Sequence, residues 1–166
     1  MGVCKFLFLD KQKLDVFLPM LFDILHANMS VIAPTGCSYE EDYAIWYSNV
    51  APAMEKEQRQ IVLMWLGDAV VGYFQYYINR DTNSLMMEEI QIQKQLHGTG
   101  VFSDFYKWLI DKLPKDIAYV EAYANKKNTK SQGILKHLGL VCVGENRNGK
   151  SFYFKGKYAD LVRRFR

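Results

Sequence analysis

A glycine turn between a strand-like segment and an amphipathic helix constrains this chain more than any other feature. Residues 87–92 have strand character, His97-Gly98-Thr99-Gly100 follows, and helical spacing begins at Val101. A glycine turn that opens a helix directs several backbone N–H groups toward one point, where the helix dipole also favours negative charge. The turn therefore predicts a site for a phosphate-bearing ligand.

A second element follows further along the chain. It consists of another strand-like run, the motif Asn128-x-x-Ser131, a helical segment and the sequence Leu138-Gly139-Leu140. Glycines at a strand-to-helix turn can serve a purely steric purpose with no ligand. The fixed order of strand, glycine turn, helix, strand, asparagine and helix favours the ligand-binding interpretation.

This ordered set resembles the GNAT superfamily of acyl-CoA-dependent N-acyltransferases, most clearly over residues 60–158. The family's acyl-CoA loop, Arg/Gln-Gly-x-Gly-x-Gly/Ala, falls on residues 97–102. Both central glycines are kept, whereas His97 and Phe102 depart from the pattern. The second family motif, Asn-x-x-Ala-x-x-Leu-Tyr-x-x-Leu-Gly-Phe, falls on residues 128–140, with Leu135 where the family commonly carries a tyrosine that protonates the leaving thiolate.

The predicted fold class is α+β, a mixed αβα sandwich in one domain over residues 1–166. The resemblance implies a central, mostly antiparallel twisted sheet, with one parallel βαβ pair splayed apart to hold the pantetheine arm of acyl-CoA. The alternation of strands and helices independently predicts the βαβ unit, and its crossover should be right-handed.

Periodicity predicts most of the individual elements. We expect strands at 4–9, 61–66, 69–79, 87–92, 117–124, 141–145 and 151–157, and helices at 14–28, 38–48, 101–113 and 129–138. Pro19 should kink or divide the first helix, and Pro52 should interrupt the second. Ser38 with Glu41 predicts a capping box at the start of the second helix, and Asn128 is the expected N-cap of the last helix. The last two strands should form a hairpin around Asn148-Gly149. Residues 161–166 are interpreted as a basic tail.

The cofactor-binding residues follow from the turn and from the resemblance. Gly98 and Gly100 would let the backbone approach a pyrophosphate closely, with the amides of residues 98–102 as donors. His97 either adds positive charge there or is a solvated loop residue. We expect acetyl-CoA, used as a cosubstrate, to contact Ile90, Ile92, His97, Gly98, Thr99, Gly100, Val101, Phe102, Asn128 and Ser131.

The candidate catalytic residues are Glu88, Glu89 and Tyr123. The two glutamates are adjacent on a strand and therefore point to opposite faces. Glu88 shares its face with two isoleucines, which should desolvate it, raise its pKa and let it accept a proton from an amine. A purely structural carboxylate is the alternative. Leu135 cannot donate a proton, so either another acid substitutes or the thiolate leaves without help. Tyr123, on the strand before Asn128, is the nearest candidate acid by topology, and an ordinary strand aromatic is the alternative.

The expected activity is transfer of an acetyl group from the CoA thioester to a primary amine by direct attack. The acceptor is a small-molecule or peptide amine. The alternative is a non-catalytic acyl-CoA-binding module, because Leu135 replaces the acid tyrosine. A nucleic-acid-binding domain is disfavoured, since the net charge is only +3 and no basic stripe with interleaved aromatics accompanies the C-terminal arginines.

Other properties are expected from composition. No metal is expected, since His26 and His137 have no metal-ligand spacing with a cysteine or carboxylate. We expect no membrane partner, because no continuous apolar run approaches the roughly 18 residues of a spanning helix. Three scattered cysteines indicate reduced thiols and a cytoplasmic location. A homodimer is reasonable because sheet edges would be exposed.

Overall fold

The computed structural model describes residues 2–56 and 58–166. Seven strands and five α-helices lie within these residues. The strands are β1 Lys5–Phe8, β2 Gln60–Leu66, β3 Ala69–Asn79, β4 Ser84–Ile92, β5 Tyr119–Asn125, β6 Val141–Glu145 and β7 Ser151–Lys157. The helices are α1 Leu14–Ile32, α2 Tyr39–Lys56, α3 Val101–Lys112, α4 Thr129–His137 and α5 Tyr158–Phe165. Short 3₁₀ turns precede α1 and follow β4.

The strands form one sheet in the order β1-β2-β3-β4-β5-β7-β6. β4 and β5 pair in parallel, with Ser84 opposite Tyr119, whereas β1 with β2, β5 with β7 and β6 with β7 are antiparallel. The predicted α+β class and the predicted parallel βαβ pair are both confirmed.

The chain divides into two compact units. The first comprises the residues up to Gln75 together with Glu89–Val101, and the second comprises Tyr76–Glu88 together with Phe102–Arg166. Strands β3 and β4 contribute residues to both. The expectation of a single domain stays a prediction.

The first unit has an apolar core built by α1, α2, β2 and β3. Its buried members are Leu9, Leu14, Leu18, Leu21, Val50, Met54, Ile61, Leu63 and Tyr73. The start of α2 confirms the predicted cap, because the Ser38 hydroxyl accepts a 3.2 Å hydrogen bond from the backbone N–H of Glu41. The core thus fixes both helices against the strands of this unit.

The expected interruption of the second helix at Pro52 is wrong, as is the alternative that Pro19 divides the first helix, whereas a kink at Pro19 stays a prediction. Both prolines lie inside continuous helices, Leu14–Ile32 and Tyr39–Lys56. An interior proline costs about 3 kcal/mol, whereas each fully buried leucine or phenylalanine contributes about 1.5–3 kcal/mol. Since α1 alone buries five apolar side chains, core burial outweighs the lost hydrogen bond.

The second unit packs α3, α4 and α5 with β5, β6 and β7. The predicted hairpin between β6 and β7 is confirmed, with Gly149 at a φ of +70° in its turn. Gly156 on β7 allows a close backbone approach, because an added Cβ would lie 2.9 Å from the Gly139 carbonyl oxygen. The interpretation of residues 161–166 as a tail is wrong, since they belong almost entirely to α5, whose Tyr158 and Leu161 are buried. Leu161 and Phe165 lie at helical spacing from Tyr158, and that spacing could have predicted the helix.

One helical stretch, Lys11–Ile32, is long and apolar enough to cross a membrane by length and composition alone. The expectation that no such segment exists was therefore too strict. Core helices of globular proteins pass the same test, and Leu18, Leu21 and Phe22 of this stretch are buried in the first unit.

Candidate functional site

The glycine turn has the backbone geometry that its sequence predicts. Gly98 and Gly100 have φ values of +79° and +85°, a region that favours glycine. An added Cβ at either position would meet no heavy atom within 4 Å among the described residues. Glycine is thus needed here for backbone conformation, and the space beside both Cα atoms is open. α3 begins immediately afterwards, at Val101.

Two side chains of the turn are held by neighbouring carbonyl groups. The Thr99 hydroxyl donates a 2.6 Å hydrogen bond to the Leu96 carbonyl, and the Thr99 N–H donates to the same oxygen at 3.3 Å. Nε2 of His97 lies 3.1 Å from the Ile92 carbonyl oxygen, which can only accept, so this bond requires the tautomer protonated at Nε2. The turn is therefore fixed to the end of β4 through side-chain contacts.

Val101 and Phe102 form the first turn of α3 and are half-buried. Backbone N–H groups in the first turn of a helix have no intrahelical acceptor and carry the positive end of the dipole. This end of α3 can therefore receive an anion, as the sequence predicts.

The parallel ladder between β4 and β5 ends before either strand does. Its last pair is Met87 with Ala122, whereas β4 continues to Ile92 and β5 to Asn125. Glu88 and Tyr123 are the next residues of the two strands. The structure therefore places these two candidate catalytic residues at the point where pairing stops.

Glu89 belongs to a chain of hydrogen bonds in the first unit. The Gln91 amide donates to Oε1 of Glu89 at 2.6 Å, and the Asn28 amide donates to Gln91 and to the Ile92 carbonyl, each at 2.9 Å. Asn28 of α1 therefore holds the Gln91 side chain, and Gln91 in turn holds the Glu89 carboxylate. Ile90 is half-buried and Ile92 is fully buried, so the apolar side chains at the end of β4 are also packed.

Tyr73 lies close to this chain. Its side chain is completely buried, and its hydroxyl has no hydrogen-bond partner within the part of the chain that the structure describes. Burial, followed by the negative charge of Glu89, raises the pKa of Tyr73 well above its ordinary value. The Tyr73 phenol is therefore neutral and lies within electrostatic range of the Glu89 carboxylate.

Tyr123 contacts a second group that sequence reasoning missed. It is half-exposed and stacks on Tyr153 of β7 with ring centroids 5.1 Å apart. The Tyr153 hydroxyl donates to the buried carboxylate of Glu121. Burial, and next the bond to Glu121, raise the pKa of Tyr153. Since Glu121 precedes Tyr123 by two residues on β5, both lie on one face.

Sequence reasoning missed Asn28, Gln91, Glu121 and Tyr153. Residue spacing on one strand could have associated Gln91 with Glu89 and Glu121 with Tyr123, because residues two apart share a face. Nothing local in the sequence associates Asn28 or Tyr73 with β4, since those contacts depend on the packing of distant segments.

Comparison with solved structures identifies the fold. An acetyltransferase from Thermus thermophilus matches with a TM-score of 0.71 at 14% identity, covering 93% of this chain and 97% of that chain. The aminoglycoside acetyltransferase AAC(6')-Ib in complex with coenzyme A matches with a TM-score of 0.67 at 12% identity, covering 96% and 98%. A mutant spermidine N-acetyltransferase from Vibrio cholerae matches with a TM-score of 0.64 at 12% identity, covering 98% of each chain. The fold is that of the GNAT acetyltransferases. No family model and no curated protein matches the chain by sequence.

A core residue stands where the sequence resemblance implies a tyrosine. Leu135 of α4 is buried. Asn128 caps that helix, as predicted, because its side-chain oxygen accepts a 3.0 Å hydrogen bond from the N–H of Ser131. The capping bond of Asn128 therefore fixes the start of α4. Leu135, by contrast, has no proton that it could donate to a leaving thiolate.

Among the described residues, no group of three or more His, Cys, Asp or Glu side chains is placed to hold a metal ion. His26 lies 4.0 Å from Asp42, and its ring packs on Phe22.

Proposed function

We propose that this protein is an acetyl-CoA-dependent N-acetyltransferase that acts on a primary amine. The observation that carries the proposal is the pair of left-handed glycines, Gly98 and Gly100, between β4 and α3 in a GNAT fold. A structure of similar fold, AAC(6')-Ib, contains coenzyme A.

The residues of the turn fit a pyrophosphate. Both glycines leave open space where a side chain would otherwise stand. The first-turn amides of α3 supply donors, and the helix dipole favours the negative charge. The Thr99 amide already donates to Leu96, so we assign the principal contacts to the amides of Gly100, Val101 and Phe102.

The reaction forms a bond between the amine nitrogen and the acetyl carbon and breaks the carbon–sulfur bond. The amine must give up a proton, and the departing sulfur must be neutralised. We assign proton acceptance to Glu89, because Gln91 and Asn28 hold its carboxylate in one position. Glu88, which precedes Glu89 on β4, is the second candidate for the proton acceptor.

Tyr123 is the proposed proton donor to sulfur. It follows the last paired residue of β5 and is half-exposed, so its hydroxyl can reach a ligand. Stacking on Tyr153 restricts its ring. Because a thiol is acidic enough to leave without help, this contribution should be modest.

The acceptor is a small-molecule or peptide amine. Solved structures of similar fold include enzymes named for spermidine and for aminoglycosides, both of which carry several amines. We further propose a cytoplasmic location, supported by the absence of a disulfide among Cys4, Cys37 and Cys142. The exposed edge strand β6 supports a homodimer as an additional proposal.

The test is release of thiol from acetyl-CoA across a panel of polyamines, aminoglycosides, amino acids and peptides, with coenzyme A binding measured separately by calorimetry. Binding together with amine-dependent release supports the proposal. If no acceptor raises thiol release above the rate measured without amine, the proposed transferase activity is contradicted.

Binding without transfer is what the alternative predicts. A non-catalytic acyl-CoA-binding module is favoured by one observation, the buried Leu135 at the position of the family's acid. If coenzyme A binds tightly and no acceptor is acetylated, the protein is a non-catalytic acyl-CoA-binding module and not a transferase.

A further inference from the structure

A cavity in the second unit lies between the end of α3, the segment before β5 and α5. Its volume is about 500 Å³, within the usual range for small-molecule sites. The apolar part of its lining comes from Ile110, Ile117 and Val162, of which the first two are buried. An apolar ligand group can therefore fill the inner part of this cavity.

The mouth of the cavity is basic. Lys115, Arg163 and Arg166 all line it and are exposed. The Arg163 guanidinium donates to Asp160 at 2.6 Å, which neutralises much of its charge. Lys115 contacts the Ile110 carbonyl at 3.5 Å. Recognition of an external charge therefore depends mainly on Lys115 and Arg166.

A buried hydroxyl without a partner completes the lining. Tyr158 is 4% exposed, and its hydroxyl has no hydrogen-bond partner within residues 2–56 and 58–166. Burial raises the pKa of this phenol, the Arg166 charge lowers it in part and the Asp111 carboxylate raises it, so the hydroxyl is a neutral donor. A buried hydroxyl left unsatisfied costs free energy that a ligand acceptor would recover.

We propose that this cavity binds a small organic anion, a carboxylate or phosphate monoester with an apolar body. The anionic group accepts from the Tyr158 hydroxyl and pairs with Arg166 and Lys115, while the body packs on Ile110, Ile117 and Val162. The cavity lining includes no residue of the glycine turn, and the proposal does not depend on the acetyltransferase activity.

Three probes test the site by chemical-shift titration of the whole chain. They are 4-phenylbutyrate, phenyl phosphate and the uncharged 4-phenylbutan-1-ol. At least one anion should bind saturably, with a Kd of about 1 mM or below, and should shift amides in α5 and at the end of α3. Preference between the two anions distinguishes carboxylate from phosphate. Equal binding of the alcohol, or no shift with either anion, would overturn the proposal.

Two variants with one matched control localise the recognition. Tyr158→Phe should weaken binding of the preferred anion about tenfold while leaving the thermal midpoint equal or higher, because no bond of the free protein is lost. Arg166→Gln should weaken it similarly. Arg164→Gln removes the same charge two residues earlier in the chain, outside the cavity lining, and it should change affinity less than twofold. An unchanged affinity in Tyr158→Phe contradicts the proposal.

Discussion

Gln91 donates a 2.6 Å hydrogen bond to the carboxylate of Glu89, two residues earlier on β4. The same Gln91 accepts from Asn28 of α1. A carboxylate held by a side chain that is itself held has little rotational freedom, which is the usual condition for a positioned proton acceptor. Glu88 lies on the opposite face of the strand. The two neighbouring glutamates should therefore differ in function.

Glu89→Gln should lower kcat for acetyl transfer by about 10²–10⁴, the range for loss of a general base, with coenzyme A affinity unchanged. Glu88→Gln is the matched control, since it makes the same chemical change at the adjacent residue. Steady-state kinetics at saturating acetyl-CoA give the comparison. A large loss in Glu88→Gln with none in Glu89→Gln would transfer the assignment to Glu88.

Gly100→Ala should weaken coenzyme A binding at least tenfold, because the new Cβ occupies the open space beside the turn. It should also cost about 1 kcal/mol of stability, since φ is +85°. Gly36→Ala is the control: its φ is +81°, so the strain is similar, but it lies in the loop before α2. Calorimetric titration separates the two effects. Equal affinity in all three proteins would remove the glycine turn from the binding site.

Sequence reasoning predicted the glycine turn, the βαβ pair and the Asn128 cap because each depends on local chemistry. Backbone conformation at the two glycines and the capping bond of Asn128 are properties of short segments. The helix continuing through Pro19 was missed, since its persistence depends on core burial. The bond between Asn28 and Gln91 joins residues 63 positions apart, and no local pattern encodes such a pairing.

Tyr153→Phe should destabilise the protein by about 1–3 kcal/mol, because it leaves the buried carboxylate of Glu121 without the hydroxyl that donates to it. In the Glu121→Gln background the same substitution should cost less, since a neutral amide needs its partner less than a charge does. Urea denaturation of the four proteins of this cycle measures the coupling. A coupling free energy near zero would show that the bond does not contribute to stability.

Stability should fall as the pH rises from about 10 toward 12. Burial raises the pKa of Tyr76 to about 12, and the hydrogen bond to Asp23 raises the pKa of Tyr39 to about 12. The unfolded chain loses these protons near pH 10, whereas the native protein retains them, so the free energy of unfolding decreases over this interval.

Phenylalanine variants at these two tyrosines test the alkaline effect through urea denaturation at pH 9, 10 and 11. Tyr76→Phe should reduce the slope of stability against pH more than Tyr39→Phe, because Tyr76 is buried and Tyr39 is 38% exposed, where solvent screens the interaction. An identical slope in Tyr76→Phe and the wild type would contradict the assignment.

Gly72→Ala should destabilise the protein by about 1–3 kcal/mol and also impair catalysis. The added Cβ would lie 2.7 Å from the Gln91 carbonyl oxygen and 3.2 Å from the Ile92 Cα, so β3 and the end of β4 must move apart. Because Gln91 holds Glu89, the displacement should lower kcat even where the variant remains folded. Gly144→Ala on β6 is the control, since an added Cβ there meets nothing within 4 Å among the described residues. Thermal denaturation and kcat are measured on both variants. A Gly72→Ala protein with wild-type kcat would show that the position of Glu89 does not control the reaction.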